Sequence, residues 1–126
     1  MYEKAVALDS KDPELWSNLG VILAESGRFK EARKMCETSV QVDPGYASGH
    51  NNLGLVLQAL GEADGAISAF QKSISLDPGE PAAHLNLAKL YIRLGSEGRA
   101  RSLLRGYLGR EPGHPGARKL LNQLDE

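Results

Sequence analysis

The stretch Trp16-Ser17-Asn18-Leu19-Gly20 returns 34 residues later as His50-Asn51-Asn52-Leu53-Gly54, and again as His84-Leu85-Asn86-Leu87-Ala88. Other positions recur in the same register. Gly27, Gly61 and Gly95 align, as do Ala32, Ala66 and Ala100. Pro44, Pro78 and Pro112 align too, each after an acid: Asp43, Asp77 and Glu111. A fixed period of this length marks a stack of small supersecondary units. Three full units span residues 13–46, 47–80 and 81–114.

The spacing inside one unit predicts two helices. From Pro13 to about Ser26, Leu15, Trp16, Leu19, Ile22 and Leu23 recur at helical intervals. Pro13 and Pro81 fall in a first turn, where a missing N–H costs nothing. Gly27 supplies the left-handed residue that ends the helix. A second helix follows from about Lys30 to Val42, and Pro44 closes it. The small residues pair as Gly20 with Ala32, Gly54 with Ala66 and Ala88 with Ala100. Lack of bulk at both places lets two helix axes approach closely.

This pattern resembles the tetratricopeptide repeat family. Its signature places are filled by Trp16, Leu19, Gly20, Leu23, Ala32, Cys36, Ser39 and Pro44 in the first unit. The second unit has His50, Leu53, Gly54, Leu57, Ala66, Phe70, Ser73 and Pro78 there. The third has His84, Leu87, Ala88, Tyr91, Ala100, Leu104, Tyr107 and Pro112. The resemblance implies an all-α fold, a right-handed superhelical solenoid of antiparallel helix pairs forming one domain over residues 1–126. Residues 1–12 read as the second helix of a partial repeat, with Tyr2, Ala5, Leu8 and Asp9 in late second-helix places. Residues 115–126 read as a capping helix, with Ala117, Leu120, Leu121 and Leu124 as its apolar stripe. The third unit departs most from the pattern. Gly106 and Gly109 lie inside its second helix, at roughly 1 kcal/mol each relative to alanine. Tyr107 is large where the family prefers alanine.

Composition is that of an ordinary globular chain, with 41% hydrophobic and 25% charged residues, which suits packed helices. The net charge of −1 argues against a strongly basic nucleic-acid binder. The charge is uneven: residues 1–80 hold 7 Lys and Arg against 12 Asp and Glu, and residues 81–126 hold 8 against 4. Such a gradient either steers a partner or reflects solvated helix faces. The lone Cys36 rules out an internal disulfide. No run approaches a membrane span and Met1–Asp9 lacks leader character, so the expectation is a cytoplasmic protein with no membrane insertion.

No catalytic arrangement emerges, and the reading is a non-enzyme without cofactor or metal. The glycines punctuate turns at a fixed period and no Lys-Ser or Lys-Thr follows a glycine-rich run. No zinc-helix motif or thiolate cluster occurs, and no nucleophile elbow. His50 and His84 share a repeat position with Trp16, and half-buried packing is the simpler role. Units set about 10 Å apart hold side chains too distant for ligands that must reach one ion at about 2.0–2.1 Å. His114, in a Pro-Gly-His-Pro turn, reads as solvated.

In the family the first helices line a concave surface. The resemblance places Glu14, Ser17, Asn18, Val21 and Ala24 on it, then Ser48, Asn51, Asn52, Leu55 and Gln58, then Ala82, Leu85, Asn86, Lys89 and Ile92. Asn18, Asn52 and Asn86 form a column whose amides carry donor and acceptor together and suit a peptide backbone. The column is similar to the asparagine ladder of the O-linked N-acetylglucosamine transferases. Asparagine as a mere family preference at this place is the alternative. Members that bind chaperone tails clamp a terminal carboxylate with cations at places that here hold Ser17, Val21, Asn52, Ala82 and Asn86, of which only Asn52 matches. Val21, Leu55, Leu85 and Ile92 offer apolar contacts to an internal segment or an amphipathic helix. The function implied is a scaffold binding a protein or peptide in its groove. The alternatives are a substrate-presenting region of a larger enzyme such as a glycosyltransferase, and a homo-oligomer formed through the N-terminal edge.

Overall fold

The computed structural model describes residues 11–125. Apart from Lys11 and Asp12, the expected partial repeat and its N-terminal edge lie outside the described residues. Seven helices occur among the described residues, and no strand. They are α1 (Pro13–Glu25), α2 (Phe29–Val42), α3 (Ala47–Ala59), α4 (Ala63–Leu76), α5 (Pro81–Arg93), α6 (Glu97–Arg110) and α7 (Pro115–Leu124).

Each first helix ends by the same backbone device. After α1, Gly27 adopts φ +81° and its N–H donates to Ala24 O at 3.0 Å, while Arg28 N–H donates to Leu23 O at 2.9 Å. Gly61 and Gly95 repeat the conformation with φ +82° and +81°, and Glu62 and Ser96 repeat the longer bond to Leu57 O and Tyr91 O. Glycine is the residue that takes this left-handed turn without strain, so the period of the glycines is the period of the hairpins.

The hairpins close on the small residues, and each glycine also faces a larger side chain. A Cβ built on Gly20 would lie 2.5 Å from Cys36 Sγ and 3.2 Å from Ala32 O. At Gly54 it would lie 2.6 Å from the Phe70 ring. The glycine therefore makes room chiefly for the residue one turn beyond the alanine. Serines fasten the base of two hairpins. Ser39 Oγ donates to Pro13 O at 2.7 Å, and Ser73 Oγ donates to Ala47 O at 2.8 Å. In the third unit Tyr107 takes that place. It is buried, its ring 4.6 Å from His84 and edge-on to His114 at 5.5 Å.

Stacking of units builds the core. Val56 of α3 joins Leu23, Ala32 and Cys36 of the unit before it. Leu90 of α5 is buried in the cluster that holds Ala69 and Phe70 of α4. Ala117 and Leu121 of α7 close the far end of that cluster. Ile22 holds the same register as Val56 and Leu90, yet it is 56% exposed against their 3% and 2%. Val56 and Leu90 are buried against residues of the second helices before them, α2 and α4. The first helices α1, α3 and α5 touch in succession, whereas second helices do not meet to a comparable degree. The stack therefore presents its first helices on one shared face.

Candidate functional site

That shared face carries the sequence-predicted groove residues, in very different states. Asn18 is exposed, and Asn52 and Asn86 are half-buried. Asn52 Nδ2 donates to Ser17 Oγ at 2.6 Å, and Asn86 Nδ2 donates to Asn51 Oδ1 at 3.0 Å. Two members of the column thus clasp the preceding unit, leaving one N–H and the carbonyl of each for other partners. Ser17 must be withdrawn from the ligand-facing set. It is fully buried, enclosed by the next unit and bonded by Asn52.

Val21 and Leu55 are exposed at 36% and 41%. With Ala24, Glu25, Asn52 and Val56 they line a depression of about 250 Å³ between α1 and α3. Gln58 is half-buried, and Ile92 is drawn partly into the core. Leu85 and exposed Lys89 line a second depression, about 300 Å³, with Gly116, Lys119, Leu120 and Gln123 of α7. The α7 side of the face was missed by sequence reasoning. The signal was present, since Lys119 and Gln123 stand 34 residues after Leu85 and Lys89.

The histidines serve the loops. His50 Nε2 donates to Pro44 O and His84 Nε2 to Pro78 O, each at 3.0 Å. His84 Nδ1 is buried without a partner, and burial lowers the pKa of this ring. His114 is half-buried rather than solvated: its Nδ1 accepts from Ala117 N–H at 3.2 Å and caps α7. Cys36 is buried, and its thiol is pushed up to about 12 by desolvation, then by the charge of Glu37. A thiol held neutral in this way is a poor nucleophile. Among the described residues, no group of three or more His, Cys, Asp or Glu gathers as a metal site, and no helix is long and apolar enough to cross a membrane.

Comparison with known proteins follows the same lines. Family models described as tetratricopeptide repeat match residues 12–79 and 57–124. The TPR repeat-containing thioredoxin TTL4 of Arabidopsis thaliana is 42% identical over 50 residues, covering 40% of this chain and 7% of that protein. The APC/C hetero-tetramer Cut9-Hcn1 superposes with a TM-score of 0.83 at 24% identity, over 98% of this chain and 25% of its match. The chain is thus a small part of the length of these relatives. The second TPR domain of human RPAP3, in complex with the HSP70 peptide SGPTIEEVD, superposes with a TM-score of 0.76 at 18% identity, over 90% of this chain and 98% of that domain. The repeat period, the three glycine-ended hairpins and the family match over more than half the residues agree: this chain belongs to the tetratricopeptide repeat family.

Proposed function

We propose that the chain is a non-catalytic protein-interaction scaffold whose first-helix face holds a peptide segment of a partner. The observation that carries this reading is the pair of apolar depressions on that face, with the exposed Val21 and Leu55 lining the first. Side chains so placed contribute little to folding and are suited to covering by another chain. The similar RPAP3 domain was solved with a peptide, which supports a peptide as the ligand class. In this reading Asn18, Asn52 and Asn86 hold the peptide backbone with their remaining amide groups. Val21, Leu55, Leu85 and Ile92 form an interrupted apolar floor. Asn51, Gln58 and Lys89 line its sides.

The likeness of the asparagine column to the ladder of O-linked N-acetylglucosamine transferases rests on spacing. The clasps made by Asn52 and Asn86 favour a column that is partly structural. Membership of a longer protein is favoured by the small share of the matched thioredoxin that this chain spans. In that setting the same face would present a segment to a neighbouring domain.

The test is a footprint. Peptides selected by display against the chain should perturb amide signals along α1, α3, α5 and α7. Leu55→Asp should abolish their binding while leaving the melting temperature within a few degrees of the parent. Footprints confined to α2, α4 and α6 would overturn the reading.

A further inference from the structure

We infer that the C-terminal end of this face takes an acidic peptide segment carrying an apolar side chain, held between α5 and α7. The inference rests on the scaffold reading and adds the chemistry of the partner.

The two depressions have similar size and opposite charge. The one between α1 and α3 includes Glu25 and no cation. The one between α5 and α7 has Leu85 and Leu120 as apolar walls, Lys89 and Lys119 as cations, and no anion. Both lysines are exposed, and neither has a carboxylate within 4.0 Å among the described residues. Two acids, one of α6 and one at the end of α7, pair with arginines of α6. Glu97 pairs with Arg101, and Asp125 with Arg101 and Arg105. The gradient runs in register along the face. Places equivalent across the units read Glu25, Ala59, Arg93 in one column and Val21, Leu55, Lys89 in another.

Two further details shape the pocket. At the junction register the polar contacts Ser17–Asn52 and Asn51–Asn86 give way to Leu85 and Leu120, which replaces the column asparagine. Gly116 keeps the wall low, since a Cβ there would approach Leu85 Cδ1 to 3.5 Å and His114 Cε1 to 3.2 Å. The result is an apolar floor between two cationic arms. It fits a Leu-sized side chain flanked by carboxylates. The lining contains no aromatic platform of the kind that stacks nucleic-acid bases. The cationic clamp places of the chaperone-tail binders hold Ser17, Val21, Asn52, Ala82 and Asn86, so these lysines form a separate anchor.

The experiment uses the whole chain and three fluorescein-labelled peptides of equal length, each with a central leucine flanked by Asp, Ser or Lys. Fluorescence polarisation should rank the Asp peptide first, about tenfold over the Lys peptide, as two exposed ion pairs allow. The preference should shrink as salt rises, because these charges are open to screening. Lys89→Glu with Lys119→Glu should invert the order, and Leu120→Ala should weaken all three. Equal affinities, or an unchanged order in the charge-reversed chain, would overturn the inference. So would tighter binding of a single-stranded oligothymidine than of the Asp peptide. Self-association in the ultracentrifuge that the double reversal abolishes would assign the site to a second copy instead. If none of the three binds while display-selected peptides still depend on Leu55, this inference falls alone. If those fail as well, the scaffold reading falls with it.

Discussion

Asn52 of α3 donates from Nδ2 to Ser17 Oγ of α1 across 2.6 Å, joining two consecutive units through the most enclosed hydroxyl of the face. A residue placed in the ligand column therefore also holds the stack together. Asn18, at the same register, is exposed.

That difference separates the three asparagines in stability. Asn52→Ala should cost about 1–2 kcal/mol, because it strands a buried hydroxyl. Asn86→Ala should cost about 1 kcal/mol, since Asn51 remains only half-buried. Asn18→Ala should stay within about ±0.5 kcal/mol. Urea unfolding of the three variants checks the order. Equal values would show that the clasps contribute nothing.

Alanine at the hairpin crossings should be poorly tolerated. Gly54→Ala drives a methyl group to 2.6 Å from Phe70, and Gly20→Ala drives one to 2.5 Å from Cys36 Sγ. Each should destabilise by about 1–3 kcal/mol, the usual range for overpacking. Pairing Gly54→Ala with Phe70→Leu should recover much of the loss. The third unit already combines Ala88 with Leu104, both fully buried. Thermal melts of the single and double variants decide it.

The glycines inside α6 behave in the opposite sense. A Cβ at Gly106 or Gly109 would meet nothing within 4 Å, and both residues are exposed. Gly106→Ala and Gly109→Ala should each stabilise by about 0.5–1 kcal/mol through the lost backbone entropy of glycine. A lower melting temperature in either variant would contradict this.

His84 should make the fold acid-sensitive in a defined window. Burial lowers its pKa below 6.5, the Pro78 carbonyl opposes this, and Arg110 adds to the lowering. Tyr107 and, beyond it, Glu80, Glu111 and His114 complete the surroundings. The unfolded chain therefore takes up the proton first. The contribution is fully present above pH 6.5 and is lost as pH falls from there toward the lowered folded value. The melting temperature of the parent should fall across that window, and His84→Gln should fall less. Parallel curves for the two would place the acid sensitivity elsewhere.

What could be read from the chain alone was the part written in local chemistry. Gly27, Gly61 and Gly95 ended three helices because a left-handed turn excludes most side chains, whatever lies nearby. Pro44, Pro78 and Pro112 likewise ended helices through their own rings. The period of 34 then gave the number of full units. Burial and pairing between units were decided by tertiary structure. Ile22 and Val56 share a register, yet Ile22 is exposed while Val56 is buried with Ala32 and Cys36 of the second helix before it. Ser17 looked like a groove residue until Asn52 closed over it. Lys119 and Leu120 read as parts of a capping helix, and only the tertiary structure sets them beside Leu85 and Lys89. A helix end is set by the residues that form it. The exposure of a side chain is set by the neighbour stacked against it, and that neighbour lies a full unit away in sequence.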